Sequence, residues 1–206
     1  MAKSSKPFPW YIPLLLAVVA LALAMLTPRL PGDVEVARSI QRLGIGPGPA
    51  ATIGSLVARP VLYGLLGVGV LLATWRARVR GLLVTVALML IWWYAGEPLK
   101  ILVGRSRPSP SLIEVVTRSS GFSFPSTFAT MWYSTWLPVA TYAWRSRARP
   151  GGTVLAALAT CAILAGAWAR IRLGAHWPSD LLLTLVLVWA VFALLDGVAT
   201  RLRLST

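Results

Sequence analysis

Charged residues are scarce in this 206-residue chain, at 13% of the total, and acidic residues are scarcer still, with six Asp and Glu against 20 Lys and Arg. About a quarter of the residues in soluble globular domains are charged, so the composition excludes that class. Hydrophobic residues make up 57% of the chain instead. The sequence therefore predicts an integral membrane protein.

Cysteine occurs once, as Cys161, which excludes an intramolecular disulfide. It stands inside an apolar run, where we expect a small core residue that says little about the compartment. The formal net charge of +14 raises the question of a nucleic-acid partner. We expect none, because the basic residues form short clusters between apolar runs, as is typical of membrane proteins.

Six apolar runs predict an all-α membrane protein, a six-transmembrane-helix bundle that forms one membrane-embedded domain over residues 1–206. The first run follows Lys3 and Lys6, as in a signal peptide, but is longer than a signal-peptide core. We interpret it as a retained span, with cleavage before Pro28 as the alternative. The runs cover residues 10–26, 61–74, 82–93 continuing toward 102, 128–144, 154–169 and 181–198.

Between the first two spans, residues 33–43 place apolar side chains three and four positions apart, before a Gly-Pro-Gly-Pro break at residues 46–49. This spacing predicts a short amphipathic helix on the periplasmic membrane surface. A solvated loop is the alternative.

Tight basic clusters beside apolar runs mark the cytoplasmic side of a membrane. If every run crosses, these clusters and both termini lie in the cytoplasm, as in a multi-pass protein of the bacterial inner membrane. The alternative is that basic residues are balanced between the two sides and give no orientation signal, because the opposite side also carries several of them. A binding site for an anionic substrate accounts for most of the basic residues on that side. The cytoplasmic clusters are Arg76, Arg78 and Arg80, then Arg145, Arg147 and Arg149, then Arg201 and Arg203; the opposite side carries Lys100, Arg105, Arg107, Arg170 and Arg172.

The protein's single histidine, His176, is followed four residues later by Asp180. Pro178 is typical of a helix start, and side chains at i and i+4 share one face of a helix. A carboxylate that accepts the Nδ1–H leaves Nε2 free to attack, while Arg170 and Arg172 are close enough in sequence to offer guanidinium groups to an anion. This pattern predicts a nucleophile beside a phosphate clamp. A helix N-cap at Ser179 or Asp180 with an inert imidazole nearby is the alternative.

Two further loops carry unusual residues on the same side. Lys100 and Arg107 lie seven residues apart, and Gly104 predicts that the helix ends between them. Both cationic side chains can therefore reach the same site at the end of the helix. Ser126 and Thr127 precede an apolar run, which indicates a helix start whose free N–H groups favour an anion.

These three elements together resemble the motifs of the type 2 phosphatidic acid phosphatase family, the membrane relatives of bacterial acid phosphatases and vanadium haloperoxidases. The family's first motif is Lys, six residues, then Arg-Pro. The third is Ser-Arg, five residues, His, three residues, then Asp. The chain matches the first with Lys100, Arg107 and Pro108, and the third with Arg170, His176 and Asp180, with Ala169 in place of the serine.

The second family motif, Pro-Ser-Gly-His, is only half kept. Pro125 and Ser126 are present, but Thr127 replaces the glycine and Phe128 replaces the histidine. In the family that histidine protonates the leaving group, and this chain has no second histidine to take over the task.

The resemblance implies a role for each matching residue. His176 attacks phosphorus to form a phosphohistidine and Asp180 orients it. The cations and the start of the fourth span hold the phosphoryl oxygens, and no metal or other cofactor is needed, because side chains supply the charge. Vanadate should compete with substrate. The residues expected to bind phosphate are Lys100, Arg107, Ser126, Thr127 and Arg170.

We therefore expect a lipid phosphatase or phosphotransferase whose partners are membrane lipids and a lipid phosphate or diphosphate. A phosphate leaving group, with a second pKa of about 6, needs a proton less than an alkoxide does, so we expect a polyprenyl diphosphate to be preferred over phosphatidic acid. The alternative is a catalytically silent relative that binds phospholipid or carrier-lipid head groups, with Phe128 as a plain core residue. Arg105, Arg118 and Arg172 are interpreted as loop charges rather than ligands.

Overall fold

The computed structural model describes residues 9, 11–56, 58 and 60–204, and this part of the chain contains helices and no strands. One hydrophobic cluster draws on α1, α2 and α4 to α7. The helices are α1 (Tyr11–Leu26), α2 (Asp33–Gln41), α3 (Pro47–Ser55), α4 (Val61–Val103), α5 (Thr127–Arg145), α6 (Gly152–Arg172) and α7 (Pro178–Arg201).

Helix α4 is 43 residues long but is broken in the middle, where Ala77 and Arg78 leave the helical region. The chain turns back on itself there, because the ring centroids of Tyr63 and Trp93, equally far before and after the break, lie 6.3 Å apart. A Cβ on Gly81 would lie 2.1 Å from a backbone carbonyl oxygen of the first arm, so only glycine fits this close approach. The predicted second and third spans are thus the two arms of one hairpin.

Helices α4, α6 and α7 are long and apolar enough to cross a membrane, whereas α1 is apolar but shorter, at 16 residues. The protein is therefore a membrane protein, and the count of six crossings stays a prediction. The interpretation of Cys161 as a core residue was wrong, because this side chain is exposed on α6. An apolar run in a membrane protein also supplies the lipid-facing surface, which the sequence does not distinguish from the core.

The helix predicted between the first two spans is present as α2, but the following glycine and proline residues do not form a plain break. Pro47 is the first residue of α3 instead. Proline suits this position because its missing N–H has no partner in the first turn of any helix. Asp33, the first residue of α2, is buried and bonded to Ser179 on α7, so α2 is fixed to the bundle. Its periplasmic location stays a prediction.

Because neighbouring helices run antiparallel, the loops that connect them lie at the two ends of the bundle. At one end, Lys100 near the end of α4 donates to Thr127 at the start of α5. At the other end, Arg80 after the α4 break pairs with Asp196 near the end of α7. We call these the His176 end and the Asp196 end.

A close contact between α5 and α6 sets the geometry of the His176 end. The indole N–H of Trp132 donates to the Ala162 carbonyl over 2.7 Å, and a Cβ on Gly166 would lie 2.4 Å from that indole nitrogen. One turn further toward the His176 end, the same two helix faces carry Phe128 and Arg170. The glycine therefore lets these two side chains meet.

Candidate active site

Lys100 and Arg107 converge as expected. Helix α4 ends at Gly104, which has a φ of 65° that glycine adopts without strain. Lys100 donates to the Thr127 hydroxyl over 2.5 Å and lies 3.5 Å from Glu97. Arg107 donates to the carbonyls of Gly121, Ser120 and Ala175, and its Nη1 lies 3.4 Å from His176 Nε2. Arg107 thus ties the loop after α4 to the loop that carries the histidine.

The start of α5 brings Ser126 to the same point. Ser126 is the N-cap, and its hydroxyl accepts from the Ala129 N–H over 3.2 Å. The same oxygen lies 3.1 Å from His176 Nε2. Thr127 is exposed beside Lys100.

Phe128 occupies the position that the family motif gives to its second histidine. Its ring is buried, stacks on Trp132 with a centroid distance of 5.4 Å, and lies 5.2 Å from the guanidinium carbon of Arg170. A neutral ring that can neither donate nor accept a proton therefore covers one side of the arginine.

His176 does not share a helix face with Asp180, contrary to the interpretation from spacing. Helix α7 begins at Pro178 with Trp177 as its N-cap, so His176 lies in the preceding loop. The alternative N-cap at Ser179 or Asp180 was also wrong. Asp180 instead accepts from the backbone N–H of Trp177 over 2.9 Å, and its Oδ2 lies 3.8 Å from His176 Nδ1, too far for a hydrogen bond.

Ser123 fills the gap between the imidazole and the carboxylate. Its hydroxyl is buried, hydrogen-bonds Asp180 Oδ2, and lies 3.5 Å from His176 Nδ1. A carboxylate only accepts, so the Ser123 hydroxyl donates to Asp180 and can only accept from Nδ1. Arg107, which only donates, faces the other nitrogen, Nε2. Both relations fit a histidine that carries its proton on Nδ1 and a lone pair on Nε2.

Arg105 was wrongly interpreted as a loop charge. Its side chain is fully buried and donates to Asp180 over 2.7 Å, to Ser179 over 3.0 Å and to the Thr27 carbonyl over 3.1 Å. It holds the carboxylate that the histidine was expected to use alone. The motif spacing selects Arg107, which lies seven residues after Lys100 and precedes Pro108, but nothing in the sequence marks Arg105 as a partner of Asp180.

The other two arginines interpreted as loop charges differ from each other. Arg172 is buried, donates to Glu114 over 2.9 Å and to the Ile45 carbonyl over 2.8 Å, and so fixes the loops rather than projecting into solvent. Arg118 is an exposed loop residue, as expected.

Arg170 is the cation with uncommitted donors. Among the described residues its guanidinium has no hydrogen-bond partner, and its Nε is buried. Lys100, Arg107 and Arg170 are close enough for their charges to repel one another. Burial and the charges of Arg170 and Arg107 outweigh Asp180 and lower the pKa of His176 to about 4. The site thus combines three cations with a neutral imidazole, an arrangement suited to an anion.

The sequence profile of the PAP2 superfamily matches residues 78–201, which include every one of these side chains. The chain belongs to the PAP2 superfamily. The resemblance drawn from three short motifs is thereby confirmed. Among the described residues there is no group of three or more His, Cys, Asp and Glu side chains that could hold a metal ion.

A solved structure has the same fold. The crystal structure of the first transmembrane PAP2-type phosphatidylglycerolphosphate phosphatase from Bacillus subtilis superimposes with a TM-score of 0.72 over 93% of this chain and 97% of that one, at 19% sequence identity. This similarity shows the architecture alone. No curated protein matches the chain.

Proposed function

We propose that this protein is a membrane-embedded lipid phosphatase or phosphotransferase that uses His176 as its nucleophile. The observation that carries the proposal is the guanidinium of Arg170, which has no hydrogen-bond partner among the described residues and lies near two further cations and the Nε2 lone pair. A half-buried arginine without an acceptor is costly, and a phosphoryl group supplies acceptors in the fork geometry that arginine prefers.

The reaction follows from the protonation state of the site. Nε2 forms a bond to phosphorus while the bond to the leaving oxygen breaks, and the electron pair departs with that oxygen. Lys100, Arg107 and Arg170 compensate the charge on the phosphoryl oxygens, and Ser126 positions them. Water, or a hydroxyl of another lipid, then attacks phosphorus; the bond between phosphorus and Nε2 breaks, its electron pair returns to Nε2, and the proton of the attacking hydroxyl passes to an oxygen of the phosphate product.

Phe128 makes a lipid diphosphate, such as a polyprenyl diphosphate, the preferred substrate. A buried phenyl ring cannot protonate an alkoxide. When the terminal phosphoryl group of a diphosphate is transferred, the leaving group is a lipid phosphate, which is a much weaker base. Phosphatidylglycerolphosphate, the substrate named for the Bacillus subtilis structure, and phosphatidic acid are both monoesters and should react more slowly.

The topology proposed from the sequence completes this assignment. Six spans in the bacterial inner membrane, with both termini in the cytoplasm, turn the His176 end toward the periplasm or the cell exterior. The basic clusters at the Asp196 end support this orientation by the positive-inside rule.

Phosphate release by the purified full chain tests the proposal. We expect release from a polyprenyl diphosphate to exceed release from phosphatidic acid and from phosphatidylglycerolphosphate. His176→Asn should abolish it, and Arg170→Gln should lower it by about 10²- to 10³-fold, the usual effect of removing one oxyanion ligand. Arg118→Gln removes the same charge from an exposed loop and should leave release unchanged.

The same assay separates hydrolysis from the silent alternative. A silent relative would bind the lipid diphosphate but release no more phosphate than His176→Asn does. Release that survives His176→Asn would refute the assignment of the nucleophile.

A further inference from the structure

A second basic site lies at the Asp196 end. A pocket of about 330 Å³ opens there between the α4 break and the loop after α5. Four of the side chains that line it are arginines, and Tyr142 is among the others. The arginines are Arg76, Arg80, Arg145 and Arg149.

The charges in this pocket do not balance. Asp196 accepts from Arg80 over 2.7 Å, from Arg145 over 2.5 Å and from the Tyr142 hydroxyl over 2.8 Å. One carboxylate therefore serves two guanidinium groups. Arg76 and Arg149 have no carboxylate partner among the described residues, and all six Asp and Glu of the chain are described. The pocket keeps a positive charge of about three.

Arg76 supplies an independent sign of a missing partner. The residue is 4% exposed and stacks on the Trp75 ring at 3.9 Å, and its Nη2 donates to the Pro150 carbonyl over 2.9 Å. Its Nε is buried and has no hydrogen-bond partner within the described part of the chain. A buried donor without an acceptor is destabilising, and an anion in the pocket would offset that cost.

The pocket is remote from the candidate active site. Arg80 and Lys100 are separated by about 30 Å along α4, and Arg145 and Thr127 by about 27 Å along α5, at 1.5 Å per residue. These separations are close to the roughly 30 Å thickness of a bilayer's hydrocarbon core. The two basic sites thus lie at opposite ends of the helices.

We infer that this pocket binds the phosphate group of an anionic membrane phospholipid. Trp75, whose ring stacks on Arg76, and Trp144, which precedes Arg145 in the chain, are 62% and 56% exposed, as expected for side chains at a membrane interface. Leu71, one turn away from Trp75, is 70% exposed, which provides an apolar surface for acyl chains. A basic pocket between helices, next to interface tryptophans, is suited to a lipid head group. The inference does not depend on the proposed function.

Native mass spectrometry of the detergent-purified full chain, with phosphatidylglycerol and phosphatidylcholine as probes, tests this inference. Phosphatidylglycerol carries a phosphodiester and no terminal phosphoryl group, so the activity proposed above does not consume it. We expect it to bind in preference to phosphatidylcholine, and Arg149→Gln to weaken its binding about fivefold, the usual effect of one basic residue near a membrane surface. Arg149 is exposed, so the variant should fold normally.

Two control variants fix the location of the binding. Arg147→Gln removes the same charge from the same loop but outside the pocket, and Arg118→Gln removes it from an exposed loop at the His176 end; neither should weaken binding by more than about twofold. Equal losses in Arg147→Gln and Arg149→Gln would show general surface attraction and overturn the inference. Equal binding of phosphatidylcholine, or displacement of the lipid by an equal concentration of glycerol phosphate, would also overturn it.

Discussion

Replacing Phe128 with histidine should restore monoester hydrolysis. Phe128 is the second residue of α5, and its ring lies 5.2 Å from the Arg170 guanidinium carbon, so an imidazole built there would stand beside a phosphoryl group held by that arginine. General acid catalysis contributes about 10²- to 10⁴-fold when the leaving group is a strong base. Because the new imidazole is not optimised by its neighbours, we expect at least a tenfold gain with phosphatidic acid and less than a threefold change with a polyprenyl diphosphate.

The measurement is kcat/KM for both substrates in one detergent system. Phe128→Leu is the matched control, because it removes the ring that stacks on Trp132 at 5.4 Å without adding a titratable group. The gain with phosphatidic acid should be absent from Phe128→Leu. An equal gain with both substrates, or the same gain in Phe128→Leu, would show that space rather than a missing acid limits the reaction.

Three further predictions follow from the geometry. The pKa of about 4 for His176 keeps its imidazole neutral well below pH 6.5, so kcat/KM for a diphosphate should fall on the acid side only near pH 4. The free energy of unfolding should fall by about 3 kcal/mol from pH 6.5 to 4, and this slope should be absent from His176→Asn. Gly174→Ala should lower the free energy of unfolding by about 1–3 kcal/mol in chemical denaturation, because φ is 65° and a Cβ would lie 2.1 Å from the Glu114 carbonyl oxygen. Gly121→Ala is the control: φ is 69° but the space around a Cβ is open, so the free energy of unfolding should fall less. Arg78→Gly should raise the thermal unfolding temperature, because Arg78 has φ of 49° and ψ of −135° at the α4 break, a conformation that glycine adopts without strain. An unchanged or lower unfolding temperature would contradict this prediction.

The sequence predicted the convergence of the site because each motif stands beside a signal for the end of a helix. Gly104 ends α4, Ser126 caps α5 and Pro178 opens α7, and antiparallel packing brings these three termini to one end of the bundle. Spacing could not predict the contacts within the site. Asp180 accepts hydrogen bonds from Arg105, from the Trp177 N–H and from Ser123, and no motif marks any of these donors.

The α4 hairpin shows a second limit of sequence analysis. The apolar runs on either side of Arg78 were predicted, but the sharp reversal depends on the close approach of Gly81 to the first arm, which is a tertiary contact. Exposure is limited in the same way, since Cys161 faces outward from a run as apolar as the core. Apolar composition predicts membrane burial without separating lipid contact from helix contact.

Trapping the covalent intermediate tests the central claim most directly. The purified full chain is mixed with a polyprenyl diphosphate, quenched rapidly with base, and digested for mass spectrometry. We predict a phosphoryl adduct on the peptide that contains His176, the only histidine of the chain, stable in base, labile in acid and absent from His176→Asn. Rapid phosphate release without a trapped adduct, or an adduct on any other residue, would contradict the account.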